Sequence, residues 1–227
     1  MWLNAVDGII PGGISIDDFV AVTKTDMSTA EKMLRELVAN DIGRFNDDSI
    51  DFEEGDKLQV GLFAISKGVP IDEIAQRLDW KDFEGLASKI LETHDFATMK
   101  NVILTKPRME IDVVGIRLGI AILIDCKHWK KMNSSALNSI VKKQIERTKN
   151  YVAKTKNAIA APVIVTLYQD SVIFVDKVPI VPIFQLANFL EEFYGNLEKI
   201  QTIEKADRKS TRLNSSHVAL SRMPSSA

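Results

Sequence analysis

Residues 109–131, MEIDVVGIRLGIAILIDCKHWKK, form the most apolar stretch of the chain, yet Asp112, Asp125 and Lys127 interrupt it. An ionised group buried without a partner is costly. Two carboxylates and an ammonium set among Ile, Val and Leu imply something to hold. A divalent cation is the simplest candidate.

The β-branched content of 110–115 and 120–127 predicts two short strands, with 115–119 as the hairpin turn between them. Alternation puts Ala121, Leu123, Asp125 and Lys127 on one face and Ile120, Ile122, Ile124 and Cys126 on the other. An antiparallel pair then brings Asp112 beside Asp125 and Lys127. Glu110 shares the Asp112 face, either as a rival ligand or as a rim charge. Cys126 faces away from Asp125, which reads as core packing rather than as a nucleophile. His128 follows the strand and is expected to be exposed, with Trp129 capping the sheet end.

Elements on either side extend the pattern. Residues 80–94 predict a helix with Phe83, Leu86, Ala87, Ile90 and Leu91 on its stripe and Glu84 at the stripe's edge. That position suits an ordinary solvated glutamate as well as a site residue. Residues 96–104 predict a strand. Residues 137–156 predict a helix buried along Leu137, Ile140, Val141, Ile145, Thr148 and Val152. Gln144 falls on this stripe, and a buried amide must find partners. Strands are expected at 163–168 and 172–175, with a turn at Gln169–Asp170, and a closing helix at 184–194. Helix, three strands, helix, strand is an α/β sandwich with an αβββαβ core.

This order and its residues resemble the PD-(D/E)xK, restriction-endonuclease-like nuclease superfamily. That pattern is an Asp on one strand, a short hairpin, then (Asp/Glu)-x-Lys. Asp112 takes the first place and Asp125-Cys126-Lys127 the second, with Ile111 where the pattern has Pro. Phe83-Glu84 on the preceding helix and Cys126-Lys127-His128-Trp129 at the strand end are similar to the Mrr-like and archaeal endonuclease branch. The resemblance covers about residues 80–195. It implies phosphodiester hydrolysis at Mg²⁺, for which Mn²⁺ substitutes, held by Asp112, Asp125, the Cys126 carbonyl and Glu84. Lys127 would orient the attacking water and stabilise the phosphoryl oxygens, and Gln144 would face the site. Products would carry a 5′-phosphate. The expected function is a Mg²⁺-dependent DNA endonuclease of restriction or repair type. A non-catalytic DNA-binding protein on a nuclease fold and a dimeric junction resolvase are the alternatives.

Charge supports a nucleic-acid partner for this part of the chain. Residues 127–156 hold nine basic side chains against the single acid Glu146, in a chain of net charge −2. A local basic face on a mildly acidic protein is the footprint of a phosphate track. Lys130, Lys131, Lys142, Lys143, Arg147 and Lys149 are its candidate contacts; a solvated helix face is the plain alternative.

The first third reads differently. Residues 28–40 predict a helix capped by Ser28, with Ala30, Met33, Leu34, Leu37 and Val38 as its stripe. A shorter helix over 14–22 precedes it, and two strands around 46–48 follow. Helix, turn, helix, hairpin resembles a winged helix, the fold of many DNA readers. Yet residues 1–60 carry thirteen acids against five bases, a disadvantage on a phosphate backbone. Packing or dimerisation is the competing role. The expected division is a winged-helix-like α+β module over 1–57, a helical linker over 58–79 and a nuclease-like domain over 80–206.

Hydrophobic content of 45% and charged content of 26% suit a globular domain. One cysteine excludes an internal disulfide and fits a reducing cytoplasm. Among uncharged runs none reaches the length of a membrane span. Residues 207–227 resemble translated sequencing-adapter sequence. They are polar, without apolar period, and expected to be disordered; His217 is set aside with them, and both termini are expected to be incomplete.

Overall fold

Alternation and capping build the fold seen in a computed structural model that describes residues 1–47, 49–128, 134–156, 159–167 and 172–205. The chain opens on α1 (Trp2–Ala5), β1 (Gly12–Ser15), α2 (Ile16–Thr23), α3 (Met27–Val38), β2 (Arg44–Asn46) and β3 (Ser49–Phe52). The three strands form a sheet in the order β1-β3-β2. The glycines of β1 hid that strand from the alternation rule. The stripe of α3 is buried as expected at Ala30, Met33, Leu34 and Leu37, but its cap is Asp26 rather than Ser28. The Asp26 carboxylate accepts from the Thr29 amide at 3.0 Å and from the Thr29 hydroxyl at 2.6 Å, two bonds that a cap two residues later would forgo.

Two helices follow, α4 (Asp56–Ser66) and α5 (Ile71–Ala75), then α6 (Trp80–Thr93). The Asp79 side chain caps α6 through the Asp82 amide at 2.9 Å. The stretch expected as a linker carries core residues: Leu58, Val60, Ala64, Ile74 and Leu78 belong to the buried cluster that also holds Phe19, Leu34, Phe83 and Val113.

The larger sheet contains β4 (Ala97–Leu104), β5 (Met109–Arg117), β6 (Ile120–Lys127), β7 (Ile159–Thr166), β8 (Ile173–Val175), β9 (Val178–Pro182) and β10 (Ile203–Glu204). Its order is β4-β5-β6-β7-β9-β8, with β10 beside β7. β6–β7 and β7–β9 run parallel. The crossover from β6 to β7 is α7 (Ser134–Lys154), and α8 (Leu186–Glu192) follows β9. The αβββαβ order is thus α6, β4, β5, β6, α7, β7. The β5–β6 turn is tighter than expected. It is Leu118 and Gly119 alone, both at positive φ (49° and 79°), the form that matches the twist of a hairpin. The expected turn at Gln169–Asp170, Tyr168, Trp129 and the 207–227 segment lie outside the described residues.

The sheet separates two apolar layers. Phe83, Leu86, Ala87 and Leu91 of α6 pack on Val113, Ile122, Ile124, Val163 and Val165. α7 covers the opposite face, with Tyr151 and Val152 on Val114, Ala121 and Leu123, and Ile140 and Val141 on Ile164. Asp125 and Lys127 therefore stand on the α7 side.

Candidate active site

The hairpin register ends at Val113↔Ile124. Beyond it β5 and β6 part, and the fork between them holds the charged groups. Asp112 spans the fork: its Oδ2 accepts from the Cys126 amide at 2.7 Å. In β6, the Asp125 carboxylate is 2% exposed and sits between two cations. Lys127 Nζ lies 2.8 Å from its Oδ2, and Arg147 Nη1 donates to its Oδ1 at 2.6 Å. The lysine contact is an ion pair off the angle of a hydrogen bond, which leaves Oδ2 without a hydrogen-bond donor. The Cys126 carbonyl is at the same place, 3.5 Å from Lys127 Nζ.

A break in strand alternation aims Asp112. β4 and β5 keep one register on both sides of the Asn101–Asp112 position, with Lys100↔Val113 and Val102↔Ile111, while that pair itself drops out. Asn101 has φ 53°, which Asn tolerates better than most residues. The facing slips at the same point. Thr98 hydrogen-bonds Ser88 of α6 at 3.0 Å, whereas Leu104 and Val102 pack on the α7 side. Ile111 and Val114 share that side, and Val113 between them faces α6. Asp112 thereby turns into the fork. The sign of a backbone dihedral at Asn101 leaves no mark in residue type beyond the Asn itself.

Glu84 is buried at the edge of α6, not a solvated glutamate. Burial, then the charges of Asp112 and Glu110, push its carboxyl up to about 7. Asp112 is raised too, by burial first and then by Asp125, against the Cys126 amide, Lys127 and Arg147. Glu110 is exposed and enters only as a charge, so Asp112 and not Glu110 is the β5 group in the fork. The Cys126 thiol is pushed well above its usual range by burial and by Asp112, Glu84 and Asp125, which keeps it protonated and unfit as a nucleophile.

Among the described residues no three acidic, histidine or cysteine side chains stand close enough to form a ready metal cage. The donors nonetheless fit a hard cation. They are carboxylate and carbonyl oxygens, and one buried carboxylate oxygen lacks a hydrogen-bond donor. Mg²⁺ takes one or two protein carboxylates and keeps several waters, so no closed cage is required.

Other candidates are redistributed. Gln144 is fully buried on α7. Its amide nitrogen donates to the Leu123 carbonyl at 2.8 Å and, weakly, to Val163 O at 3.5 Å; its Oε1 accepts from Arg147 at 3.3 Å. It stands one step behind the carboxylates and holds the arginine that touches one. Arg147 is half-buried rather than fully exposed, and its Nη1 is engaged by Asp125. Lys142, Lys143 and Lys149 are exposed on α7, with Lys149 4.0 Å from Glu146. Lys130 and Lys131 lie outside the described residues. His128, expected to be exposed, is half-buried. Its Nε2 is 3.1 Å from the Ala75 carbonyl and its ring meets Phe83 edge-on at 5.4 Å, tying the end of β6 to α5 and α6. Thr166, which the sequence reading passed over inside an apolar run, ends β7 beside Lys127 in register.

The family described as restriction endonuclease, the Mrr catalytic domain, matches residues 75–169. An uncharacterized protein of Archaeoglobus fulgidus is 36% identical over 120 residues, covering 51% of this chain and 92% of that relative. Among solved structures, a protein of unknown function, AF1548, is 24% identical with a TM-score of 0.32 over 39% of this chain. Protein VC1899 from Vibrio cholerae is 12% identical with a TM-score of 0.38 over 83% of this chain. The chain spans about half the length of each of these two structures, 47% in both cases.

Proposed function

The chain belongs to the Mrr-like restriction-endonuclease family within the PD-(D/E)xK superfamily, and on that footing we propose that it is a divalent-metal-dependent endonuclease that hydrolyses DNA phosphodiester bonds. The observation that carries the reading is the fork itself. Asp112 on the Cys126 amide and Asp125 against Lys127 bring the family's three groups to one end of two paired strands.

Asp112, Asp125 and the Cys126 carbonyl would hold the cation, with Glu84 at its margin. Bound there, it would supply Lewis acidity toward the phosphate oxygens and toward a water. The chain's own groups do the rest. Lys127 presents an ammonium beside the acids, placed to orient the nucleophile and to offset charge on the phosphoryl oxygens. Arg147 holds Asp125 in one rotamer, and Gln144 holds Arg147. Glu84, buried at the edge of α6 beside Asp112, is placed to hold the cation's outer waters. Lys142, Lys143 and Lys149 on the outer face of α7 would track the DNA backbone, with Lys130 and Lys131 extending that run in sequence.

We read residues 1–57 as a winged-helix-like module, 58–79 as a packed helical connector and 80–206 as the nuclease domain. The element order and three-stranded sheet of the module support the likeness. Its acidic hairpin and its shared core with α6 favour a packing role over DNA reading. A cytoplasmic location agrees with a single cysteine and hence no internal disulfide. Among the described residues no helix is long and apolar enough to cross a membrane.

The test is incubation with supercoiled plasmid, a four-way junction and single strands, in Mg²⁺ or EDTA, beside Asp125→Asn. Cutting of plasmid in Mg²⁺ alone, lost in the variant, is expected. Preference for the junction would move the reading to a resolvase. DNA binding without scission of any substrate would replace it with a regulatory one.

A further inference from the structure

Thr166 is 2% exposed, and its hydroxyl has no hydrogen-bond partner among the described residues. A buried hydroxyl left unpaired lowers stability, and valine of the same shape would avoid the penalty. The residue sits where its hydroxyl has a use. β6 and β7 run parallel with Lys127 opposite Thr166, and neighbouring strands lie about 4.8 Å apart. Val165 packs on the α6 side and Ile164 on the α7 side, so Thr166 shares the α7 face with Asp125 and Lys127. Both lie at the carboxyl ends of parallel strands, the usual place for ligands in such sheets.

Lys127 Nζ is drawn to Asp125 Oδ2 at 2.8 Å, the oxygen that lacks a hydrogen-bond donor and is suited to a cation. Once that oxygen is given over to a cation, the hydroxyl on the neighbouring strand offers the lysine an acceptor on the same face. We propose that Thr166 is a positioning residue whose hydroxyl accepts the Lys127 ammonium in the metal-loaded site, freeing Asp125 and fixing the amine toward the phosphate. This rests on the reading of Asp125 as a metal donor.

The experiment compares Thr166→Val and Thr166→Ser with the unaltered protein, and uses Asp125→Asn as a separate arm. Mn²⁺ affinity is read by electron paramagnetic resonance, stability by thermal melting, and cleavage by kcat and KM on plasmid. Thr166→Val should melt at the same temperature or higher, because it removes an unpaired buried hydroxyl. Its Mn²⁺ affinity should fall about tenfold, the low end for a hydrogen bond to a charged group. Its kcat should fall by a similar factor with KM for DNA within about twofold. Thr166→Ser should recover both. Thr166→Val binding Mn²⁺ and cutting like the unaltered protein would overturn the proposal. Thr166→Ser failing alongside Thr166→Val would also overturn it, because the methyl and not the hydroxyl would then matter. If instead Asp125→Asn keeps full Mn²⁺ affinity, the metal-donor reading fails, and the Thr166 proposal with it.

Discussion

Asp125, at 2% exposure, has one oxygen against a lysine and the other against an arginine. That division separates Arg147 from the lysines around it. Arg147→Gln should lower stability by about 2 kcal/mol, the worth of a hydrogen bond to a buried charge, read by urea unfolding. Lys142→Gln and Lys143→Gln should stay within about 0.5 kcal/mol of the parent. Each should instead reduce the salt slope of DNA binding by about 1, as lost phosphate contacts do. An equal effect of all three on DNA affinity alone would return Arg147 to the surface track. Nothing in residue type distinguishes Arg147 from Lys143 one turn before it. Only the register of α7 against β6 decides which of them reaches Asp125. Asp112, Asp125 and Lys127 were legible because charge inside an apolar alternating run has so few explanations. Thr166 was not, because threonine suits any strand and its missing hydrogen bond exists only in three dimensions.

Elements follow the same division between local and distant causes. The strands flanking the hairpin were legible from β-branched alternation, and α3 and α6 from their stripes. β9 was not, because Pro179 and Pro182 are poor strand residues; its partners are a parallel β7 and a short edge strand. The hairpin turn carries a correctable local cost. Leu118 is 79% exposed and held at φ 49°, a conformation that Asn adopts with less strain. Leu118→Asn should raise stability by about 0.5 kcal/mol, visible as a higher denaturation midpoint with an unchanged slope. A loss of stability would mean that Leu118 makes a contact that its exposure denies. The break at Asn101 and Asp112 has the opposite character, since a strand that kept its alternation there would turn Asp112 out of the fork.

Across the whole molecule, one buried cluster runs from Trp2 to Ile200 and joins the N-terminal module to the α6 side of the large sheet. Trp2 stacks edge-on against Phe63 of α4 at 4.9 Å. Arg77, after α5, forms an ion pair with Asp7. Unfolding should therefore be one transition, with far-ultraviolet dichroism and tryptophan fluorescence coincident. Leu34→Ala, deep in α3, should lower it for both probes by about 2–4 kcal/mol. Two separated transitions would make the module an independent unit. A shared core also gives the acidic module a task that needs no phosphate contact, namely support of the helices behind the fork.

The central claim is that Asp112 and Asp125 converge on one hydrated cation beside Lys127. Crystals soaked in Mn²⁺ and measured at its absorption edge test this most directly. An anomalous peak in coordination contact with one oxygen of each aspartate, with Lys127 displaced from Asp125, is the expected result. A peak away from the fork, or an empty fork at saturating Mn²⁺ with both aspartates still bound to their amide and cation partners, would contradict it.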